Sequence, residues 1–215
     1  MSSLEVSDSI DMQTIKPNKK KPKPTHDKEY LGAGFLFYYN NTFLTGFSRH
    51  LKLWSGFGGK VEKTDKSPLQ TAIREVIEEI FGINPLEHVI RLIENIKIQK
   101  IINRHGYILY ICHINELKWI SKILIFFGEK SPYYKQLPSD ITELLTERYA
   151  PADAEVPTIE FLHKSTIQQL QVDHHFLKDI QLIVYEEILV TELNLLPSSP
   201  SKHETESETE KEKST

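Results

Sequence analysis

The sequence predicts an α/β protein, an α/β/α sandwich built around a mixed β-sheet. Apolar segments follow one another in the order strand, strand, helix, strand, strand, helix, strand, helix. The first helix has well-marked ends and a single apolar face. The 215-residue chain, 39% hydrophobic and 26% charged, holds enough apolar material for one sizeable core between polar ends. No internal repeat interrupts this order.

Residues 1–28 are polar and close on "KPNKKKPKPTHDK", where Pro17, Pro22 and Pro24 oppose helix and the lysines repel one another. A flexible arm is expected, either a solubilising tail or a segment for nuclear localisation or RNA steering. The folded domain is expected over residues 29–195. "GAGFLFYY" and "TFLTGFS" read as strands around a tight Asn40-Asn41 turn, since asparagine tolerates positive φ and aromatics favour strands. Ser67, Pro68 and Gln70 mark a helix start as N-cap, first-turn proline and capping-box partner. Leu69, Ala72, Ile73, Val76, Ile77 and Ile80 then form an apolar stripe, and Gly82 with Asn84-Pro85 ends the helix.

Next, "KIQKIIN" and "GYILYICHI" flank a turn at Arg104-His105-Gly106. "ELKWISKILIFFG" has helical spacing at Leu117, Ile120, Ile123, Leu124 and Phe127, and Trp119 on it is expected to pack. "PTIEFLHKS" returns to strand, and "DHHFLKDIQLIVYEEILVTELN" predicts a long final helix. Residues 196–215, dominated by Ser, Thr, Glu and Lys, read as a disordered tail.

A net charge of −4 does not favour non-specific nucleic-acid binding by the whole chain. Cys112 is the only cysteine, so no internal disulfide is possible, and its apolar neighbours make it a buried, inert thiol. The N-terminus lacks an apolar signal core, and no run approaches the roughly 20 apolar residues needed to span a bilayer. A soluble protein of the cytoplasm, or of the nucleus, is expected, with no membrane partner; oligomeric state leaves no mark in the sequence.

Chemistry is concentrated in "REVIEEIFG", residues 74–82. On a regular helix Glu75, Glu78 and Glu79 fan over about 100° of one face, opposite the apolar stripe. Glu75 and Glu79 repel at i, i+4, and Gly82 stands where a downstream cation could have relieved Glu78. Positive charge must come from elsewhere. Just upstream, in "WSGFGGKVEKTDKSP", Gly58 and Gly59 suit a loop that presents its backbone to a phosphate or its metal.

Together these stretches resemble the box of the Nudix hydrolase superfamily, G-x5-E-x7-R-E-U-x-E-E-x-G-U with U aliphatic. The match runs over Gly59, Lys60, Val61, Glu62, Arg74, Glu75, Val76, Glu78, Glu79, Gly82 and Ile83. Two departures stand out. Six residues on from Gly59 is Asp65 rather than glutamate, and eight residues instead of seven separate it from Arg74. Either Asp65 or Glu62 can take the structural role of the box's first glutamate. Phe81 adds a residue between Glu79 and Gly82, lengthening the helix end without displacing the glutamates from one another.

The resemblance implies the Nudix fold and a hydrolase, a pyrophosphatase of nucleotide substrates using magnesium or manganese (Mg²⁺ or Mn²⁺). It implies Glu78 and Glu79 as direct metal ligands, Glu75 as a ligand or water-orienting base, and the Gly59 carbonyl as a further ligand. Arg74 would hold the glutamates, and Gly58, Gly59 and Lys60 would meet the substrate. Many Nudix enzymes carry one more glutamate before the last strand, close to a proline; in "DAEVPTIEF" that is Glu155, as an additional ligand or general base, with Glu160 and Glu143 as weaker competitors. His174 and His175 diverge by about 100° on a helix and read as helix-start or base-contact residues rather than a metal pair.

The implied substrate is a nucleoside diphosphate derivative, whether a nucleotide, a dinucleoside polyphosphate or an mRNA cap, with RNA as a further partner. "WSGFGGKVE" is also similar to the box entrance of enzymes that clear oxidised purine nucleoside triphosphates, whereas the segment at about 116–150 and the lysine-rich arm suit larger substrates. A non-catalytic Nudix-fold nucleotide- or RNA-binding module is the alternative from a different class.

Overall fold

The computed structural model describes residues 30–183. The lysine-rich arm, the polar tail and the second half of the expected final helix lie outside the described residues. Strands β1 (Gly32–Tyr39) and β2 (Thr42–Ser48) form the first hairpin, with Asn40 and Asn41 at φ 48° and 59° as the turn requires. They pair only beside that turn, at Tyr38↔Phe43 and Tyr39↔Thr42, and then diverge. The run that follows fills the wedge: β3 (Leu53–Ser55) pairs with β2, and β4 (Phe57–Lys60) with β1. The expected glycine loop is therefore strand, because Gly58 and Gly59 lie in register with Gly34 and Ala33.

β5 (Ile98–Arg104) and β6 (Tyr107–His113) make the second hairpin, and β6 runs parallel to β1. β7 (Thr158–His163) adds antiparallel to β2. The open, mixed, seven-stranded sheet has the main path β3-β2-β1-β6-β5. Along β1 and β6 the side chains alternate between two cores. Phe35, Phe37, Tyr110 and Cys112 join one face, and Leu36, Leu109 and Ile111 the other.

The first core is covered by α1 (Pro68–Val76), a π turn (Ile77–Phe81), α2 (Glu87–Ile93) and α3 (Glu116–Phe126). Against the second lie α5 (Lys164–Ile167) and α6, a helix from 174 that continues through 183. The sandwich is as predicted. The helix expected around Glu143 is α4 (Ile141–Thr146), whereas α2 and α5 were not expected, each being too short for a helical period to stand out. Trp119 is covered only in part, 42% exposed on α3. Asp173 caps α6 through bonds from the His175 and Phe176 amides, so the histidines mark a helix start. Cys112 is fully buried, which pushes its thiol up to about 12. No described helix is long and apolar enough to cross a membrane.

Candidate functional site

α1 begins as its sequence specifies. The Ser67 hydroxyl accepts from the Gln70 amide, while the Gln70 side chain accepts from the Lys66 amide, one residue beyond the N-cap amide of the reciprocal capping-box bond. Ala72, Ile73, Val76, Ile77 and Ile80 are fully buried, so the helix lies on β1 and β4 with its acidic face at the strand edge.

Arg74 organises that face. Its guanidinium donates to both Asp65 carboxylate oxygens at 3.1 Å, to Glu78 at 3.0 Å and to the Lys60 carbonyl at 3.0 Å, and lies 2.9 Å from Glu75. Asp65, 4% exposed, also accepts from the Thr71 hydroxyl and the Glu62 amide. Glu62 is 3.7 Å from Arg74 with a largely exposed side chain. Asp65 is therefore the acid that anchors the arginine, and the shorter side chain on the longer loop still gives a bidentate pair. Burial pushes the Asp65 carboxyl up, but the bonds from Arg74, the Glu62 amide and Thr71 hold it below its ordinary value.

The extra residue takes a specific form. The Gly82 amide reaches the carbonyls of both Glu78 and Ile77, the second being the i to i−5 bond of a π turn. A one-residue insertion in a helix produces this geometry. Glu78 and Glu79 thus sit on a widened turn, and the regular-helix fan expected for the three glutamates is corrected there. Phe81 is fully buried with its ring 5.9 Å from that of Tyr134, and Gly82 closes the turn at φ 69° with Pro132 and Tyr133 against its Cα.

Glycine is required at two positions beneath the glutamates. Gly58 has φ 152°, and its amide donates to the Glu79 carboxylate at 2.8 Å. A Cβ on Gly59 would overlap the Glu75 carboxyl group. The phenol of Tyr107 lies where a Cβ on Gly34 or Gly58 would stand, on the other side of the same strands. Its pKa is raised by burial and by Glu79 and Glu75.

Burial dominates the electrostatics. Glu79, only 9% exposed, is raised well above the ordinary carboxylate range, with Glu75, Glu155 and Glu78 adding to the effect against the Gly58 amide. Burial pushes Glu75 up to about 7, opposed by Arg74 and assisted by Glu78 and Glu155. Glu78 is raised by burial too, against the pull of Arg74. Arg74 alone faces several acids, and its pKa rises despite burial.

Arg74, Glu75, Glu78 and Glu79 therefore come together with Gly58 and Gly59, and Glu155 is close enough to act on Glu75 and Glu79. Lys60 contributes its carbonyl to Arg74 while its side chain is exposed. Glu160 is exposed on β7, and the Glu143 carboxylate is spent on the Ser139 amide and hydroxyl before α4. Among the described residues, no group of three or more His, Cys, Asp or Glu side chains is arranged to hold a metal ion. The donors nonetheless fit a hard divalent cation in kind: Glu75, Glu78, Glu79 and Glu155 offer carboxylate oxygens, with Glu79 buried, Glu75 and Glu78 half-buried and Glu155 exposed.

Arg148 had no sequence signal. It follows α4 and donates to the Glu79 and Ile80 carbonyls at 2.9 and 3.2 Å, and to those of Val156 and Pro157 at 2.6 and 2.8 Å. Its guanidinium lies 5.0 Å from the Tyr133 ring centre.

No protein-family sequence model and no curated protein matches the chain. Solved structures do. Over 73% of this chain and 41% of its own, a Francisella tularensis bifunctional NMN adenylyltransferase/ADP ribose pyrophosphatase, complexed with AMP and an Mn ion, is 14% identical with a TM-score of 0.41. The NUDIX domain of Shewanella oneidensis NrtR, complexed with ADP ribose, is 14% identical over 74% of this chain and 88% of its own, at a TM-score of 0.40. RenU, a Nudix hydrolase from M. smegmatis, is 13% identical over 76% and 88%, at 0.39. The chain spans less than half the length of the Francisella enzyme. Nudix proteins are thus among the solved structures that this α/β architecture resembles.

Proposed function

We propose that the protein is a Nudix-type hydrolase that cleaves a diphosphate linkage in a nucleoside diphosphate derivative. The observation that carries this reading is Glu75 and Glu78 paired with one arginine that Asp65 anchors, with Glu79 beside them on the Gly58 amide, above glycines that leave the carboxylates room. Glu78 and Glu79 would hold Mg²⁺ or Mn²⁺, with Glu75, Glu155 and the Gly59 carbonyl as further oxygen donors. When bound, such a cation neutralises phosphate charge and activates water.

The chain's own residues supply the rest. Glu75, raised to about 7, can accept a proton from water near neutral pH. Arg74 limits the mutual repulsion of the acids. Gly58 and Gly59 allow close approach of a phosphate, and Lys60 offers an exposed cation beside it. An RNA partner, if the substrate is capped, would be drawn by the lysine-rich arm through phosphate neutralisation.

The full chain should be assayed with Mg²⁺ or Mn²⁺ against ADP-ribose, diadenosine polyphosphates, nucleoside triphosphates including oxidised purines, and capped RNA. Cleavage of one class, abolished by EDTA, is expected. Turnover that persists in EDTA overturns the metal assignment, and binding without turnover of any substrate makes the chain a nucleotide- or RNA-binding module instead.

A further inference from the structure

Glu79 and Glu155 lie on segments far apart in sequence, and the cation site proposed above draws on both. The π turn ends in carbonyls that a helix cannot satisfy from within. Ser131 supplies a hydroxyl to Phe81, and Arg148 supplies Nε to Ile80 and Nη2 to Glu79. The same guanidinium reaches Val156 and Pro157, the two residues after Glu155. One planar, rigid fork therefore ties the backbone of a candidate metal ligand to the backbone beside the candidate base. The acceptors at Glu79, Ile80, Val156 and Pro157 are neutral carbonyls, so these four hydrogen bonds are spent on backbone geometry rather than on balancing a carboxylate.

We propose that Arg148 is a positioning residue that sets Glu155 against Glu79 and so shapes the cation site; this rests on the function proposed above. The sign of the effect separates positioning from charge. Arg148 is a cation near the acidic cluster, and removing it should by Coulomb's law alone tighten binding of a divalent cation. Removing a clamp should weaken it. Lysine preserves the charge but is a single point donor that cannot span four carbonyls in two segments.

Mn²⁺ binding to the full chain, measured by electron paramagnetic resonance titration, should weaken at least tenfold in both Arg148→Met and Arg148→Lys. Each should retain a cooperative thermal transition. Amide hydrogen exchange at 155–158 should accelerate in both. Glu155→Gln alone should weaken Mn²⁺ by a similar factor, and combining it with Arg148→Met should add little, because the two changes remove one arrangement. Unchanged or tighter Mn²⁺ binding in Arg148→Met, or full rescue by lysine, overturns the inference while leaving the proposed function intact. If Arg148→Met does not fold, the lysine variant and the exchange rates decide. A wild-type chain that binds no Mn²⁺ overturns the proposed function and this inference with it.

Discussion

The distinction between Asp65 and Glu62 is one of burial as much as of distance. Asp65 is almost fully enclosed and meets Arg74 through two hydrogen bonds, whereas Glu62 faces water at 3.7 Å. Breaking a buried pair by removing one partner's charge costs roughly 3–5 kcal/mol, while exposed pairs contribute about 0–1 kcal/mol. Asp65→Asn should therefore lower unfolding stability by about 2–4 kcal/mol, softened because Arg74 keeps Glu75 and Glu78. Glu62→Gln should stay within about 0.5 kcal/mol of wild type. Urea titrations of the two variants check this, and equal losses would remove Asp65 from the anchoring role.

Among the elements, the first helix was legible almost to the residue, because caps, stripe and closing glycine are local signals. What the sequence could not state is how Phe81 would be accommodated. An added residue can extend a helix, loop out or widen a turn, and the choice falls to tertiary packing. Here the segment at about 116–150 covers the helix end: Tyr134 meets Phe81, Ser131 caps its carbonyl, and Pro132 and Tyr133 sit against Gly82. The added Phe81 and the segment that covers it thus accommodate each other. Phe81→Ala should cost roughly 3–5 kcal/mol, the range for a fully buried phenylalanine, as measured by denaturant unfolding. A loss below about 1 kcal/mol would mean that the turn does not depend on this packing. The Gly58-Gly59 strand was misread as loop for a similar reason. A four-residue strand with two glycines has no propensity of its own, and only the diverging β1–β2 hairpin makes room for it. Arg148 was invisible because its partners are backbone carbonyls, which carry no residue identity.

For the whole molecule, the acidic cluster couples stability to pH and to cations with a definite sign. Glu75, Glu78 and Glu79 are raised in the folded chain, so the folded state binds their protons more tightly than the unfolded state does. Stability from these groups is fully present below the unfolded carboxylate value of 4.5 and is lost as pH rises through the folded values, which for Glu75 is about 7. That one shift corresponds to roughly 3 kcal/mol at most. Asp65 acts oppositely, but its lowered value confines it to pH below 3.8. In EDTA the melting temperature of the full chain should therefore fall between pH 5 and pH 8. Mn²⁺ competes with the protons for the same oxygens, so it should raise the melting temperature strongly at pH 8 and little at pH 5. Glu79→Gln keeps the size of the side chain but removes one titrating acid and one oxygen donor. It should flatten the pH dependence in EDTA, shrink the Mn²⁺ effect and abolish hydrolysis of any substrate the wild type cleaves. Thermal melts of both proteins at the two pH values, with EDTA or Mn²⁺, provide the measurement. A wild-type melting temperature that rises from pH 5 to pH 8 in EDTA, with no added effect of Mn²⁺, would mean that the glutamates are an ordinary solvated face.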